Sequence, residues 1–216
     1  MKIYDLFYSC QGEGPVQGRP VLFVRLAQCN LACKRCDTPA MKTEEITTMD
    51  LLQRIREHLG RHTSNTQIII TGGEPLLQKE ELGEVLNNLK DKKIDLETNG
   101  TIQLDSEYIK YFRFIMVSPK QDWFKSLQQK RDFFNNWKAV DNCVFKFVIG
   151  TAPWMYSEAT LKSLIKEFNL DVGKIFVMPG GATPHELSIS GPNTWKTALR
   201  LNCNFSDRLH IRNLGK

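Results

Sequence analysis

Short apolar runs alternate with amphipathic stretches along the whole chain. Six runs of mainly aliphatic residues predict strands, and the stretches after several of them repeat apolar residues with the period of a helix. Strands separated by helices favour parallel βα units. The pattern therefore predicts an α/β fold, an open partial (β/α) barrel of about six parallel strands. The predicted strands are 21–26, 68–71, 94–98, 114–117, 144–149 and 175–177.

Helices are predicted after most of these strands. Residues 49–59 repeat apolar positions at helical spacing, and Asp50 suits the positive amino-terminal end of that helix. The segment 122–142 is polar, aromatic-rich and without a clear period, so we predict an irregular helix or a lid there. The other predicted helices are 79–89, 161–168 and 195–201.

Length and charge limit the classes of protein to consider. The 216 residues predict a single domain over 1–216. The first residues lack the apolar core of a signal peptide, and no stretch approaches membrane-spanning length, so we expect a cytoplasmic protein without a membrane partner. A net charge of +5 is too mild to predict a nucleic-acid partner. We interpret the main basic run, 90–93, as a solvated helix end.

Three cysteines, Cys29, Cys33 and Cys36, lie within eight residues directly after an apolar run. Thiolates this close can bind one soft metal centre. A structural zinc site and an electron-transfer cubane each need four ligands, so three leave one coordination position open. The alternative is a reduced or disulfide-forming surface cluster. The other three cysteines (Cys10, Cys143 and Cys203) are expected to be small, partly buried side chains.

Two further motifs end predicted strands, and we expect them at the same edge of the sheet as the cysteines. Thr71-Gly72-Gly73-Glu74-Pro75 follows one strand and Ser118-Pro119-Lys120 follows another. With the Cys-x3-Cys-x2-Cys spacing, these motifs resemble the radical S-adenosylmethionine (SAM) superfamily. The resemblance implies a [4Fe–4S] cluster on the three cysteines, with SAM at the open iron. The SAM-binding residues that it implies are Arg35, Cys36, Asp37, Gly73, Glu74, Ser118, Pro119 and Lys120.

A narrower resemblance is carried by three other motifs. Gln11-Gly12-Glu13-Gly14-Pro15, Cys36-Asp37-Thr38 and Glu97-Thr98-Asn99-Gly100-Thr101 are similar to those of the 7-carboxy-7-deazaguanine synthases. That family converts 6-carboxy-5,6,7,8-tetrahydropterin to 7-carboxy-7-deazaguanine with loss of ammonia, a step of queuosine and related 7-deazapurine biosynthesis. The resemblance implies a carbon–nitrogen lyase that uses Mg²⁺ beside the cluster and SAM, a homodimer, and an electron donor such as flavodoxin.

The same resemblance assigns binding roles and no separate catalytic side chain. Thr38 is the implied Mg²⁺ ligand. Arg25 is expected to pair with the substrate carboxylate, although a structural arginine beneath the cluster is the alternative. The implied substrate-binding residues are Cys10, Gln11, Gly12, Arg25, Thr71 and Lys216.

Two segments depart from the pattern of the family, and two other functions are alternatives to the one that the resemblance implies. Met178-Pro179-Gly180-Gly181 replaces a more polar stretch of the family, so SAM contacts there would use backbone groups. The identity of Lys216 lends no support to a substrate contact, and His210 fits a substrate contact or a structural role equally well. The rival functions are another small radical SAM enzyme, such as a glycyl-radical activase, and a non-enzymatic iron–sulfur or zinc protein.

Overall fold

The computed structural model describes residues 1–33, 36, 43–62 and 66–214 of the chain. The predicted site residues Arg35, Asp37, Thr38 and Lys216 lie outside these ranges. The strands are β1 (Lys2–Cys10), β2 (Pro20–Leu26), β3 (Glu44–Glu45), β4 (Gln67–Gly72), β5 (Ile94–Thr98), β6 (Phe112–Val117), β7 (Cys143–Ile149), β8 (Ile175–Pro179) and β9 (Asn204–Phe205). The helices are α1 (Thr48–Gly60), α2 (Lys79–Asn87), α3 (Ser106–Ile109), α4 (Leu127–Lys138), α5 (Glu158–Phe168), α6 (Pro184–Leu201) and α7 (Leu209–Leu214). Over the described ranges, no helix is both long and apolar enough to cross a membrane.

The described chain divides into two compact units. Unit 1 comprises Met1–Ser9 and Pro20–Ile115, and unit 2 comprises Cys10–Arg19 and Met116–Lys216. Neither unit is continuous in sequence, because Cys10–Arg19 interrupts unit 1 and belongs to unit 2. The expectation of a single domain over 1–216 stays a prediction.

Unit 1 contains parallel strands, whereas its short β3 pairs antiparallel with β1. Its strand order is β3-β1-β2-β4-β5-β6, and β2 pairs parallel with β4, which pairs parallel with β5. The register places Arg25 beside Thr71 at the carboxyl ends of β2 and β4. The β-branched run Ile68–Ile70 at the centre is fully buried, as expected for a strand covered on both faces.

Unit 2 has its own parallel strands, in the order β7-β8-β9. Its core is aromatic: Phe134 of α4 stacks on Phe168 of α5, with ring centroids 4.8 Å apart, and Trp137 is fully buried. Such rings bury a large apolar area and therefore dominate the packing of this unit.

Local signals set the helix boundaries. In α1, the side chain of Thr47 accepts from the Asp50 amide while the Asp50 carboxylate accepts from the Thr47 amide, which is a capping box. In α6, the Thr183 side chain accepts from the Glu186 amide and Pro184 occupies the first turn. Asn202 ends that helix in the left-handed conformation.

The predicted α/β fold with parallel strands is confirmed, and all six predicted strands are present. Closure into a partial barrel stays a prediction. Three strands, β1, β3 and β9, were not predicted. The segment 122–142 contains a regular helix, α4, and the predicted helix 195–201 is the last part of the longer α6.

Candidate active site

The cysteine triplet (Cys29, Cys33 and Cys36) follows the carboxyl end of β2 in unit 1. Cys29 and Cys36 are exposed and Cys33 is half-buried, and no disulfide joins any of the six cysteines, all of which are described. The Cys29 Sγ accepts from the Leu31 amide at 3.4 Å and from the Asn99 side-chain amide at 3.8 Å. The loop that carries the triplet therefore contacts the loop after β5.

Three thiols on one short loop suit a soft metal centre by their chemistry. Over residues 1–33, 36, 43–62 and 66–214, however, no three His, Cys, Asp or Glu side chains are gathered closely enough to hold a metal ion. The donor set thus fits an iron–sulfur cluster, while the close grouping that a bound cluster requires is not preformed in the described residues.

The glycines of Thr71-Gly72-Gly73-Glu74 allow two loops to touch through their backbones. Gly72 has a φ of 141°, and a Cβ there would overlap the carbonyl of Leu26. A Cβ at Gly73 would overlap the carbonyl oxygen of Gln28. The Gly73 amide donates to the Leu26 oxygen at 3.1 Å, and the Glu74 amide donates to the Gln28 oxygen at 2.8 Å. Only residues without a side chain permit this approach.

Glu74 joins the loops after β4 and β5. Its carboxylate is fully buried. One oxygen accepts from the Leu76 amide at 3.0 Å and from the Thr98 hydroxyl at 2.7 Å, and the other accepts from the Asn99 amide at 2.7 Å. A buried carboxylate with three donors is a fixed part of the loop junction. The prediction that Glu74 also binds SAM remains a prediction.

Arg25, Thr71 and Glu97 form a row across β2, β4 and β5. The Arg25 guanidinium lies over the rings of Tyr4 and Phe7, 5.8 Å and 5.3 Å from their centroids. The Thr71 hydroxyl donates to the Glu97 carboxylate at 2.8 Å. The row places a cation, a hydroxyl and a carboxylate near one edge of unit 1.

In unit 2, the backbone of the Gln11-Gly12 segment is held by protein partners. The Gln11 amide donates to the Arg19 oxygen at 2.8 Å. The Gly12 oxygen accepts from the Gln17 side chain at 2.9 Å and from the Leu209 amide at 3.1 Å. A substrate contact through the backbone of this segment must share these groups or use their neighbours, such as the exposed Cys10.

Glu13 lies at the centre of a buried charge cluster that sequence reasoning missed. Its carboxylate pairs with Lys146 and with the Nε of Arg208 at 3.0 Å, and His210 Nε2 lies 3.8 Å away. Burial by itself raises the pKa of Glu13, but the Lys146 and Arg208 charges lower the pKa further, to about 2. A Cβ on Gly12 would overlap the His210 ring. Gly12 therefore packs directly against His210.

The predicted SAM-binding residues of unit 2 follow β6, and they are Ser118, Pro119 and Lys120. Pro119 is buried, whereas Ser118 and Lys120 are half-buried, and the Lys120 oxygen accepts from the Trp123 amide at 3.0 Å. In the Met178–Gly181 stretch, the Gly181 oxygen accepts from Arg208 at 2.6 Å. The Gly181 oxygen is one of the backbone groups predicted to contact SAM, and it already accepts a hydrogen bond from the protein.

Unit 1 thus brings together Cys29, Arg25, Thr71, Gly73 and Glu74. Four residues in and after these strands were not predicted as site residues. They are Gln28, Glu97, Thr98 and Asn99. The last three were part of a recognised motif, but no role was assigned to them. The positive φ of Gln28, 73°, leaves no signal in the sequence.

Comparison with known proteins identifies the family. A family model described as a 4Fe-4S single cluster domain matches residues 10–110. The 7-carboxy-7-deazaguanine synthase of Methanospirillum hungatei is 43% identical over 174 residues, which are 76% of this chain and 68% of that protein. The chain belongs to the 7-carboxy-7-deazaguanine synthase family. The synthase of Pyrobaculum aerophilum is 29% identical over 228 residues, covering 100% of this chain and 95% of that protein.

A solved structure agrees in fold with this member of the 7-carboxy-7-deazaguanine synthase family. The crystal structure of QueE from Escherichia coli has a TM-score of 0.70 at 22% identity, over 97% of this chain and 94% of that chain. The identity to the Methanospirillum hungatei synthase confirms the predicted family, and the family supports the [4Fe–4S] cluster and SAM as cofactors. The Mg²⁺ ion and the role of each site residue stay predictions.

Proposed function

We propose that the chain is a radical SAM lyase that converts 6-carboxy-5,6,7,8-tetrahydropterin to 7-carboxy-7-deazaguanine, with loss of ammonia, in 7-deazapurine biosynthesis. The observation that carries the proposal is the 43% identity to a 7-carboxy-7-deazaguanine synthase over 76% of the chain. The contact of the cysteine loop with the Gly-Gly-Glu loop agrees with it.

The cysteine triplet would hold the cluster. The residues that would hold SAM are Arg35, Cys36, Asp37, Gly73, Glu74, Ser118, Pro119 and Lys120. When bound, the cluster and SAM supply one-electron chemistry that begins a radical reaction. The chain's own task is to fix and shield the reactants. Glu74 does so by fastening the loop after β4 to the loop after β5, so that the backbone at Gly73 keeps one position against the cysteine loop.

Arg25 would bind the substrate carboxylate. Its guanidinium lies over the rings of Tyr4 and Phe7, which restricts the position of the planar fork before the substrate arrives. Thr71, its neighbour in the register, would contact the substrate with its hydroxyl already oriented by Glu97. A pre-oriented pair loses little side-chain entropy on binding.

Cys10, Gln11 and Gly12 would bind the pterin edge, and Lys216 would reach the substrate through its terminal carboxylate. The hydrogen bonds with Arg19, Gln17 and Leu209 support this role for the segment, because they fix its backbone.

Thr38 is proposed as the ligand of a Mg²⁺ ion that organises the substrate. We expect Thr38→Val to keep cluster and SAM binding but to form less product, with a flatter response to added magnesium. Thr38→Ser is the matched control, since it retains the hydroxyl. A magnesium titration of turnover separates them, and superimposable curves for Thr38→Val and the parent would leave Thr38 without a metal role.

The partners belong to the same proposal. We propose a homodimer in the cytoplasm that receives electrons from a donor such as flavodoxin. Light scattering of the reconstituted protein tests the dimer, and substitution of reduced flavodoxin for dithionite tests the donor.

The deciding experiment is incubation of the reconstituted protein with SAM, reductant, magnesium and the carboxypterin. Formation of 7-carboxy-7-deazaguanine with release of ammonia is the expected result. Cys33→Ala is the matched inactive control. SAM cleavage without conversion of the pterin would favour a different small radical SAM enzyme, such as a glycyl-radical activase. Metal binding without any SAM cleavage would favour a non-enzymatic protein.

A further inference from the structure

A basic cleft opens in unit 1 where β5 and β6 begin. Its volume is about 510 Å³. Ile94 and Phe112, the first residues of the two strands, line it. Two segments that are distant in sequence supply its cations, which are Lys90, Lys92, Lys93, Lys110 and Arg113. We call this feature the basic cleft. The predicted site of unit 1 is built at the opposite, carboxyl ends of the strands.

The basic cleft has more positive than negative charge. Lys92 pairs with Asp91 at 2.7 Å, and Arg113 pairs with the buried Asp95 at 2.8 Å. Within the described part of the chain, Lys90, Lys93 and Lys110 make no ion pair. Three exposed cations therefore remain without a carboxylate around one concavity. A concave surface of one charge sign concentrates the electrostatic potential and attracts counter-ions.

Helix capping does not account for these lysines. The helix α2 ends at Asn87, and the amide and side chain of Asn88 both donate to carbonyls of its last turn. Among the described contacts, no ammonium of the run 90–93 donates to an α2 carbonyl. Capping also gives no reason for Lys110, which comes from a different segment, to line the same cleft.

One aromatic side chain orders part of the lining. The Tyr111 hydroxyl donates to the Asn87 side chain at 2.6 Å, which fixes the ring. The Lys110 ammonium lies 5.2 Å from the centroid of that ring. A lysine held over an aromatic ring keeps its charge near one position. The cleft is therefore partly organised without any ligand.

We propose that the basic cleft binds an anion with several phosphate groups. Lysine is a common phosphate ligand, acting as a point charge, and the cleft volume lies within the range of about 300–1,000 Å³ that is usual for small-ligand sites. The phosphates come from a free oligophosphate, such as a nucleoside triphosphate, or from the backbone of a nucleic acid. The proposal does not depend on the proposed catalytic function.

An acidic electron-donor protein fits this position less well. Asn99, which contacts Cys29, follows the last residue of β5, whereas the basic cleft lies at the first. Five strand residues separate them by about 16 Å. A donor docked at the basic cleft would therefore stand far from the cysteine triplet.

Calorimetric titration of the reconstituted protein tests the proposal, with inorganic tripolyphosphate, ATP and a single-stranded oligonucleotide as three separate probes. The test variant is Lys90→Ala/Lys93→Ala/Lys110→Ala. The matched control, Lys162→Ala/Lys166→Ala/Lys196→Ala, removes the same charge from exposed lysines of unit 2. Replacing the three cleft lysines by arginine keeps the charge and serves as the rescue.

We expect saturable binding that weakens at least about tenfold in the test variant and stays unchanged in the control. Binding should also weaken as salt is raised from about 20 mM to about 200 mM. If tripolyphosphate and ATP bind, the source is a free oligophosphate. If only the oligonucleotide binds, and the same variant loses it, the source is a nucleic acid. Equal losses in the two alanine variants, or no saturable binding of any probe, would overturn the proposal.

Discussion

At the scale of the residue, Arg25 shows how neighbouring strands can orient one cation. Its guanidinium rests on Tyr4 and Phe7. We expect Arg25→Lys to keep the cluster and SAM cleavage but to lower carboxypterin turnover at least about tenfold, because a point charge cannot reproduce a planar, bidentate contact. The measurement is kcat/KM for the carboxypterin. Arg54→Lys, in a surface pair with Glu44, is the control. Unchanged kinetics in Arg25→Lys would return Arg25 to a structural role.

Glu13 is a second residue whose environment makes a prediction, this time on stability. Because Lys146 and Arg208 hold its pKa near 2, below the ordinary 4.5, the stabilisation is present above about pH 4.5 and is lost as the pH falls toward 2. Glu13→Gln should lower the free energy of unfolding by about 3 kcal/mol at neutral pH, since two buried cations then face a neutral amide.

Urea unfolding at several pH values measures the difference between Glu13→Gln and the parent protein. The difference should shrink below about pH 4. Glu158→Gln removes a carboxylate from a surface pair with Arg200, and we expect it to change stability by less than about 1 kcal/mol. A Glu13→Gln difference that stays constant with pH would contradict the assignment of the ionised Glu13 to this cluster.

At the scale of the element, the loops after β2 and β4 depend on close backbone contact. We expect Gly73→Ala to displace the loop at Gln28 and Cys29, because the added Cβ overlaps the Gln28 carbonyl. SAM cleavage should fall at least about tenfold, with a smaller effect on iron content. Gly60→Ala, at the end of α1, is the matched control because its Cβ meets nothing within 4 Å. A functional Gly73→Ala enzyme would show that the loop junction tolerates movement.

Elements were predictable where the apolar pattern was unbroken. The buried strands β2, β4 and β7 are mainly apolar, with Arg25 in β2 and Lys146 in β7 as charged exceptions, and such strands are typical of sheets covered on both faces. The strand β1 was missed because Ile3 is its only fully buried side chain among mostly half-exposed neighbours. In α6, Gly191 and Pro192 interrupt the helical pattern. The helix was therefore predicted only over 195–201, and its start after the cap at Thr183 was missed.

At the scale of the whole molecule, the sequence revealed local motifs and missed distant groupings. The cysteine loop and the Gly-Gly-Glu motif are each contiguous in sequence, so their residue types and spacing predicted their chemistry. The charge cluster at Glu13 includes Arg208, which lies 195 positions away in sequence, and such ion pairs leave no local pattern. The basic cleft was not predicted for the same reason, because Lys110 lies outside the run 90–93. Pairings of this kind are determined by the fold and not by spacing.

The six cysteines allow a last prediction that spans the molecule. Burial raises the pKa of Cys143 to about 12 and the pKa of Cys203 to about 11. The thiolate is the reactive form, so these two side chains should alkylate slowly near pH 8. In the cluster-free protein, iodoacetamide should label the cysteine triplet and the exposed Cys10 first.

Loading the cluster should then protect the triplet alone. Bound thiolates are withheld from the reagent, so mass spectrometry should show three protected sites while Cys10 stays reactive. Alanine variants provide the complementary measurement: each triplet variant should lose iron and SAM cleavage, whereas Cys143→Ala and Cys203→Ala should retain both. Because only three cysteines would bind iron, one coordination position stays available for SAM. Protection of Cys10 on loading, or loss of iron in Cys143→Ala or Cys203→Ala, would supply a fourth ligand and remove the open position on which the proposed chemistry depends.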